Sequence, residues 1–156
     1  MSSREAILNK IKQNQPSEVN ILPSLEPLKE SHLDVLEQYK SVLKGIGGDF
    51  VEVSNFAEII TFVKENFNIN KRILTTLSEL SEVANLDWNN DDPHSLQDVE
   101  LILVKAHFGV SENSALWVTD EIMGQRVSTF IPQYLAIVVN KKDIVAKMHQ
   151  AYDRIG

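Results

Sequence analysis

The stretch from Ser111 to Val139, S-E-N-S-A-L-W-V-T-D-E-I-M-G-Q-R-V-S-T-F-I-P-Q-Y-L-A-I-V-V, holds the residues best suited to chemistry on a small molecule. It sets a carboxylate (Glu112), two small polar side chains (Asn113 and Ser114) and an arginine (Arg126) between two apolar, strand-like runs. Loops at strand ends are where open α/β sheets bind ligands. Glu112 can therefore act as nucleophile, general base or ligand anchor. Equally, it can be a loop carboxylate that accepts backbone N–H bonds. Arg126, followed by Ser128, suits two-pronged recognition of a carboxylate or phosphate, which makes a small anionic ligand the natural inference. The competing role for Arg126 is an internal ion pair with Glu112, Asp120 or Glu121.

Other chemistries lack their residues. The chain has no cysteine, so it carries no disulfide, no thiolate nucleophile and no thiolate ligand for an iron–sulfur cluster. His32, His94, His107 and His149 are far apart without metal-site spacing, so no metal is expected; His107, near the Glu112 stretch, reads as a hydrogen-bonded structural residue. There is no Walker-type phosphate loop, no G-x-G-x-x-G after a strand and no G-x-S-x-G elbow. A net charge of −7 with scattered basic residues offers no footprint for nucleic acid. No apolar run is long enough to span a bilayer and the N-terminus carries no export signal, so a cytoplasmic protein is expected. The chain of 156 residues has length for one cored domain.

The elements that must position these residues follow from periodicity. Ser3 opens a short helix with Ile7, Leu8 and Ile11 on one face, stopped by Pro16, and Gln15–Lys29 reads as an extended connector. Residues 1–30 are thus an N-terminal helix and arm, able to mediate a homo-oligomer, and residues 31–156 an α/β domain. Ser31 with Asp34 caps a helix whose Leu33, Leu36, Tyr39 and Leu43 recur at helical spacing until Gly45, Gly47 and Gly48. Asp49–Val53 reads as a strand, and Ser54 or Asn55 caps a helix with Phe56, Ile59, Ile60, Val63 and Phe67 on its stripe. Arg72–Thr75 is the next strand, Leu77–Ala84 a short helix opened by Thr76 or Ser78, and Asn85–Gln97 a turn-rich crossing. Val99–Val104, Ala115–Thr119 and Leu135–Val139 are nearly continuous apolar runs, expected as central strands covered on both faces. Asn140 caps a final helix with Ile144, Val145, Met148, Tyr152 and Ile155 on its buried side. Trp117 is expected in the core, and Trp88 over an apolar edge. The order of elements predicts an α/β sandwich around a largely parallel sheet.

The string Phe108–Val118 followed by Arg126, Ser128, Pro132 and Leu135–Val139 resembles the lactate-utilisation protein C family, the LUD domain. That family carries a segment of the type A-E-T-G-T-L-V-L leading to R-x-x-S-x-x-P-x-H-I-x-V-V, and the N-terminal S-S-R-E-A-I-L-N-K-I-K is also similar to its first helix. Glu112, Leu116, Arg126 and Pro132 match the pattern, and Ser128 stands for its serine, one position closer to the arginine. Asn113, Ser114 and Ala115 stand in place of Thr-Gly-Thr, and Gln133 and Tyr134 in place of a proline and a histidine. Losing the glycine removes easy access to positive φ. The resemblance implies a three-layer α/β/α fold of the NagB/RpiA/CoA-transferase type, with a ligand site at Asn113, Ser114, Arg126, Ser128 and Tyr134. It further implies a non-redox subunit or accessory small-molecule-binding module in oxidation of L-lactate to pyruvate, with iron–sulfur clusters held by partner proteins. Ser111–Ser114 is also similar to the S-E-N-G string around the catalytic glutamate of one class of CoA-transferase subunits. This implies the alternative, a CoA-transferase-like or sugar-phosphate-isomerase-like enzyme with Glu112 as nucleophile or base.

Overall fold

The computed structural model describes residues 3–15, 24, 34–88 and 92–156. The chain divides into two units, Met1–Glu30 and Ser31–Gly156. In the first, helix α1 spans Ser3–Gln13 and closes where Asn14 N–H donates to Lys10 O at 3.1 Å. Most of the expected connector, including Pro16, lies outside the described residues, as do Ser31 and Leu33 of the next predicted helix.

The second unit opens with helix α2, Val35–Gly45. Its cap is Asp34 itself, whose Oδ1 accepts from the backbone of Leu36 at 2.9 Å and Glu37 at 3.2 Å. Gly47, at φ +87°, turns the chain so that Gly48 N–H reaches Leu43 O at 2.9 Å, a left-handed helix stop. The expected strand Asp49–Val53 is not one: it pairs with neither sheet and crosses as unpaired backbone. Helix α3, Phe56–Asn66, is capped by Asn55, which accepts from Glu58 N–H at 3.0 Å, while Glu58 returns the favour to Ser54 N–H at 2.8 Å. It turns Ile59 and Val63 inward.

Two three-stranded sheets follow, where one largely parallel sheet was expected. Strands β1 (Arg72–Thr75), β2 (Val99–Lys105) and β5 (Tyr134–Val138) form a parallel sheet in the order β1-β2-β5. Strands β3 (Phe108–Val110), β4 (Ala115–Trp117) and β6 (Ile144–Val145) form a mixed sheet in the order β4-β3-β6. The change happens over two residues. Ala106 N–H still donates to Val138 O at 2.9 Å, but His107 N–H donates to Trp117 O at 2.9 Å, so the chain leaves one partner and takes another.

Alternation along β2 builds a core on each face of the first sheet. Leu101 and Leu103 join Ile59 and Val63 of α3, together with Ile73, Leu77, Leu80 and Ala84. Ile102 and Val104 point the other way, to Leu74, Trp88, Leu96 and Val99. Trp88 lies inside this second core, its Nε1–H donating to Thr75 O at 2.9 Å, rather than over an edge. A third cluster, Phe108, Val110, Val145 and Ala151, ties the mixed sheet to helix α5, Met148–Ile155. The architecture is thus α/β, with parallel and antiparallel pairing and flanking helices.

Only β2 of the three apolar runs is a central strand. β4 and β5 are edges, and β4 leaves Trp117 exposed, stacked on Phe108 at 6.2 Å between ring centroids. An unbroken apolar run does not distinguish a central strand from an edge whose outer face is covered elsewhere. The predicted helix Leu77–Ala84 shrinks to one 3-10 turn, Ser78–Leu80, followed by turns, because Leu77, Leu80 and Ala84 all pack into the first core. The single final helix is replaced by a 3-10 turn at Lys141–Asp143, β6 and then α5, since the β-branched pair Ile144–Val145 pairs with β3. Between Asp120 and Met123 lies a one-turn helix, α4.

Candidate functional site

The S-E-N-S turn after β3 is a clamp on two helices. Ser111 and Ser114 are buried and donate their hydroxyls to carbonyls of α2, Ser111 to Val35 O at 2.7 Å and Ser114 to Tyr39 O at 2.8 Å. Glu112 accepts the N–H of Met148, the first residue of α5, at 3.0 Å through Oε2. Asn113 Oδ1 accepts from Ala115 N–H at 3.1 Å, closing the turn, and its amide lies 3.5 Å from Met148 Sδ. Ser114 adopts φ +55°. It takes the left-handed backbone that glycine provides freely, and its own hydroxyl bond secures it there. Gly109 completes the clamp: a Cβ there would meet the Tyr39 ring at 3.3 Å and Leu116 at 3.2 Å.

Arg126 and Ser128 belong to a second turn. Arg126 grips Asp120 with Nε at 3.0 Å and Nη2 at 2.6 Å from Oδ2, an exposed bidentate pair that holds the Asp120 carboxyl below its ordinary range. Ser128 is fully buried and donates to Met123 O at 3.2 Å. Tyr134 opens β5 half exposed, its ring edge-on to Phe67 at 5.4 Å. His107 Nε2 lies 2.9 Å from Thr119 Oγ1. The structure therefore brings Glu112, Asn113 and Ser114 together, and separately Arg126 with Ser128. Among the described residues, no hydrogen bond or ion pair joins Glu112 to Arg126. No group of three or more His, Cys, Asp or Glu among them is arranged to hold a metal ion. No described helix is long and apolar enough to cross a membrane.

A concave surface that neither turn lines lies against α2. It is a groove of about 350 Å³ between Leu36, Tyr39 and Lys40 of α2, the segment 50–56 with Ile59, the end of β5 through Lys141, and Ile144. Glu52 reaches into it between two ammonium groups, Oε1 paired with Lys40 and Oε2 with Lys141. Lys40 also bonds Glu37 at 2.8 Å. Hydrogen bonds from Lys141 and then Lys40 draw the Glu52 carboxyl down to about 2. Lys40 and Lys44 hold their ammonium groups 5.3 and 5.4 Å from the Phe50 ring centre, in cation–π range. Asn55 and Asn140 add polar groups, and burial pushes the Tyr39 phenol up. No local pattern announces this groove, because Glu52 and Lys141 stand 89 positions apart. The lysines read in sequence as ordinary surface charges.

Comparison with known proteins first confirms a class of fold. Among solved structures, the chain is similar to a DUF162 family protein from Deinococcus radiodurans, known from a crystal structure at 1.70 Å resolution. The likeness has a TM-score of 0.67 at 16% sequence identity, over 78% of this chain and 77% of that one. At that identity it is the α/β architecture that is shared. No family model and no curated protein matches the sequence.

Proposed function

We propose that this chain is a non-redox module of the lactate-utilisation C type, a subunit or accessory component that binds a small anionic molecule during oxidation of L-lactate to pyruvate. The observation that carries this reading is the pair of segments Phe108–Val118 and Arg126–Val139, which resemble the two motifs of that family in the order of their residues. On this reading the fold is of the NagB/RpiA/CoA-transferase type and the iron–sulfur clusters sit in partner proteins, since this chain supplies no thiolate. The engagement of Glu112 with Met148 N–H and of Arg126 with Asp120 favours a module that binds and docks over one that performs covalent chemistry. Affinity purification of the chain at native expression level from cells grown on L-lactate should recover iron–sulfur proteins, and its deletion should slow that growth. Recovery without such partners, together with normal growth of the deletion strain, removes the proposal. The rival CoA-transferase-like reading requires that acyl-CoA followed by hydroxylamine labels Glu112, and that Glu112→Gln abolishes turnover while the fold persists.

A further inference from the structure

We propose that the groove between α2, the segment 50–56 and the end of β5 binds a monocarboxylate with an apolar body, whose carboxylate takes the position that Glu52 holds between Lys40 and Lys141. The inference goes beyond the lactate-utilisation reading and stands or falls without it.

Glu52 shows what the site accepts. Each of its carboxylate oxygens meets one ammonium group, and the pairing keeps the group ionised well below the ordinary carboxylate range. Glu52 is also easily displaced. It sits on backbone paired to neither sheet, with its side chain 41% exposed, and exposed ion pairs contribute little net stability. An incoming carboxylate thus exchanges one anion for another between the same cations. The charged residues that line the groove are Lys40, Lys141 and Glu52, two cations to one anion, with Glu37 also paired to Lys40 from outside the lining.

What a ligand gains over Glu52 is apolar contact. The groove is lined by Leu36, Tyr39, Phe50, Val53, Phe56 and Ile59. Its 350 Å³ falls at the small end of ligand pockets. At ~30 Å³ per water molecule it has room for roughly a dozen waters, more than a three-carbon acid fills. A chain or ring of several carbons behind the carboxylate matches both lining and volume. The groove also lies at the carboxyl end of a parallel strand, β5, where the sheet leaves a crevice.

Calorimetric titration of the purified full chain at low salt tests this with 3-phenylpropionate, octanoate, 3-phenylpropionamide, L-lactate and inorganic phosphate. One or both of the apolar acids should bind saturably, with the amide, L-lactate and phosphate at least tenfold weaker. Lys141→Gln should weaken the acid at least fivefold. Glu52→Gln should tighten it at least fivefold, because it removes the internal competitor and raises the fraction of open sites. Both positions are exposed, and a retained cooperative thermal unfolding transition would confirm intact folding. The proposal is overturned by absence of saturable acid binding to both wild type and Glu52→Gln, by amide binding equal to acid, by phosphate preferred over either acid, or by a Glu52→Gln affinity that is unchanged or weaker.

Discussion

Ser114 carries two opposed effects in one residue. A side chain at φ +55° costs about 1–2 kcal/mol relative to glycine, while its buried bond to Tyr39 O contributes about 1 kcal/mol. Ser114→Ala keeps the strained backbone and loses the bond, so it should destabilise by about 1–2 kcal/mol. Ser114→Gly loses the same bond but relieves the strain, and should fall at least ~0.5 kcal/mol short of the alanine variant's loss. Urea midpoints at constant m separate the two; equal losses would mean that the backbone at 114 is unstrained. Glu52 supports a prediction of pH dependence. Its folded pKa of about 2 lies below its ordinary 4.5, so its stabilising contribution is complete above pH 4.5 and disappears as pH falls toward 2. Wild type should therefore lose stability across that window more steeply than Glu52→Gln. Parallel acid limbs in urea titrations of the two proteins would show that the lysine bracket does not act on folding.

At the level of elements, β2 is the member on which both cores of the first sheet depend. Ile102 is fully buried on the face opposite α3, among Leu74, Trp88 and Leu96, so Ile102→Ala should cost about 2–5 kcal/mol. A loss under ~1 kcal/mol in denaturant titration would mean that the second core is loosely packed. This strand was legible in the sequence, as were α2, α3 and β1, because each announces itself locally: an Asp or Asn cap, a glycine stop, an apolar stripe at helical spacing. Pairing was less legible. V-E-L-I-L-V and Y-L-A-I-V look alike as strings, yet one is central and the other an edge, and only the rest of the fold decides which. Asp49–Val53 has the composition of a strand but pairs with neither sheet, and Ile144–Val145 continues a helical stripe but pairs with β3. The same limit governs the site. Its motif residues stood out by type, but Ser111 and Ser114 act on α2, at sequence separations of 76 and 75, which no local spacing encodes.

At the scale of the whole molecule, the clamp and the groove belong to one mechanical arrangement. Ser111 and Ser114 hold one side of α2 against the mixed sheet, and Tyr39 and Lys40 on that helix form one wall of the groove, so the motif shapes the site without lining it. Every groove residue lies within the unit Ser31–Gly156. The N-terminal unit offers something different: an 11-residue helix with Ile7, Leu8 and Ile11 recurring along it, too short to be stable in water without an apolar partner. A second copy of the chain is one such partner. Removing residues 1–27 therefore separates the two roles. If the arm mediates self-association, light scattering should report a fall to monomer mass, while the affinity of the groove for an apolar monocarboxylate stays within about twofold of the full chain. An unchanged mass would dismiss the arm as the contact between copies, and loss of acid binding would show that the groove depends on residues outside the α/β unit.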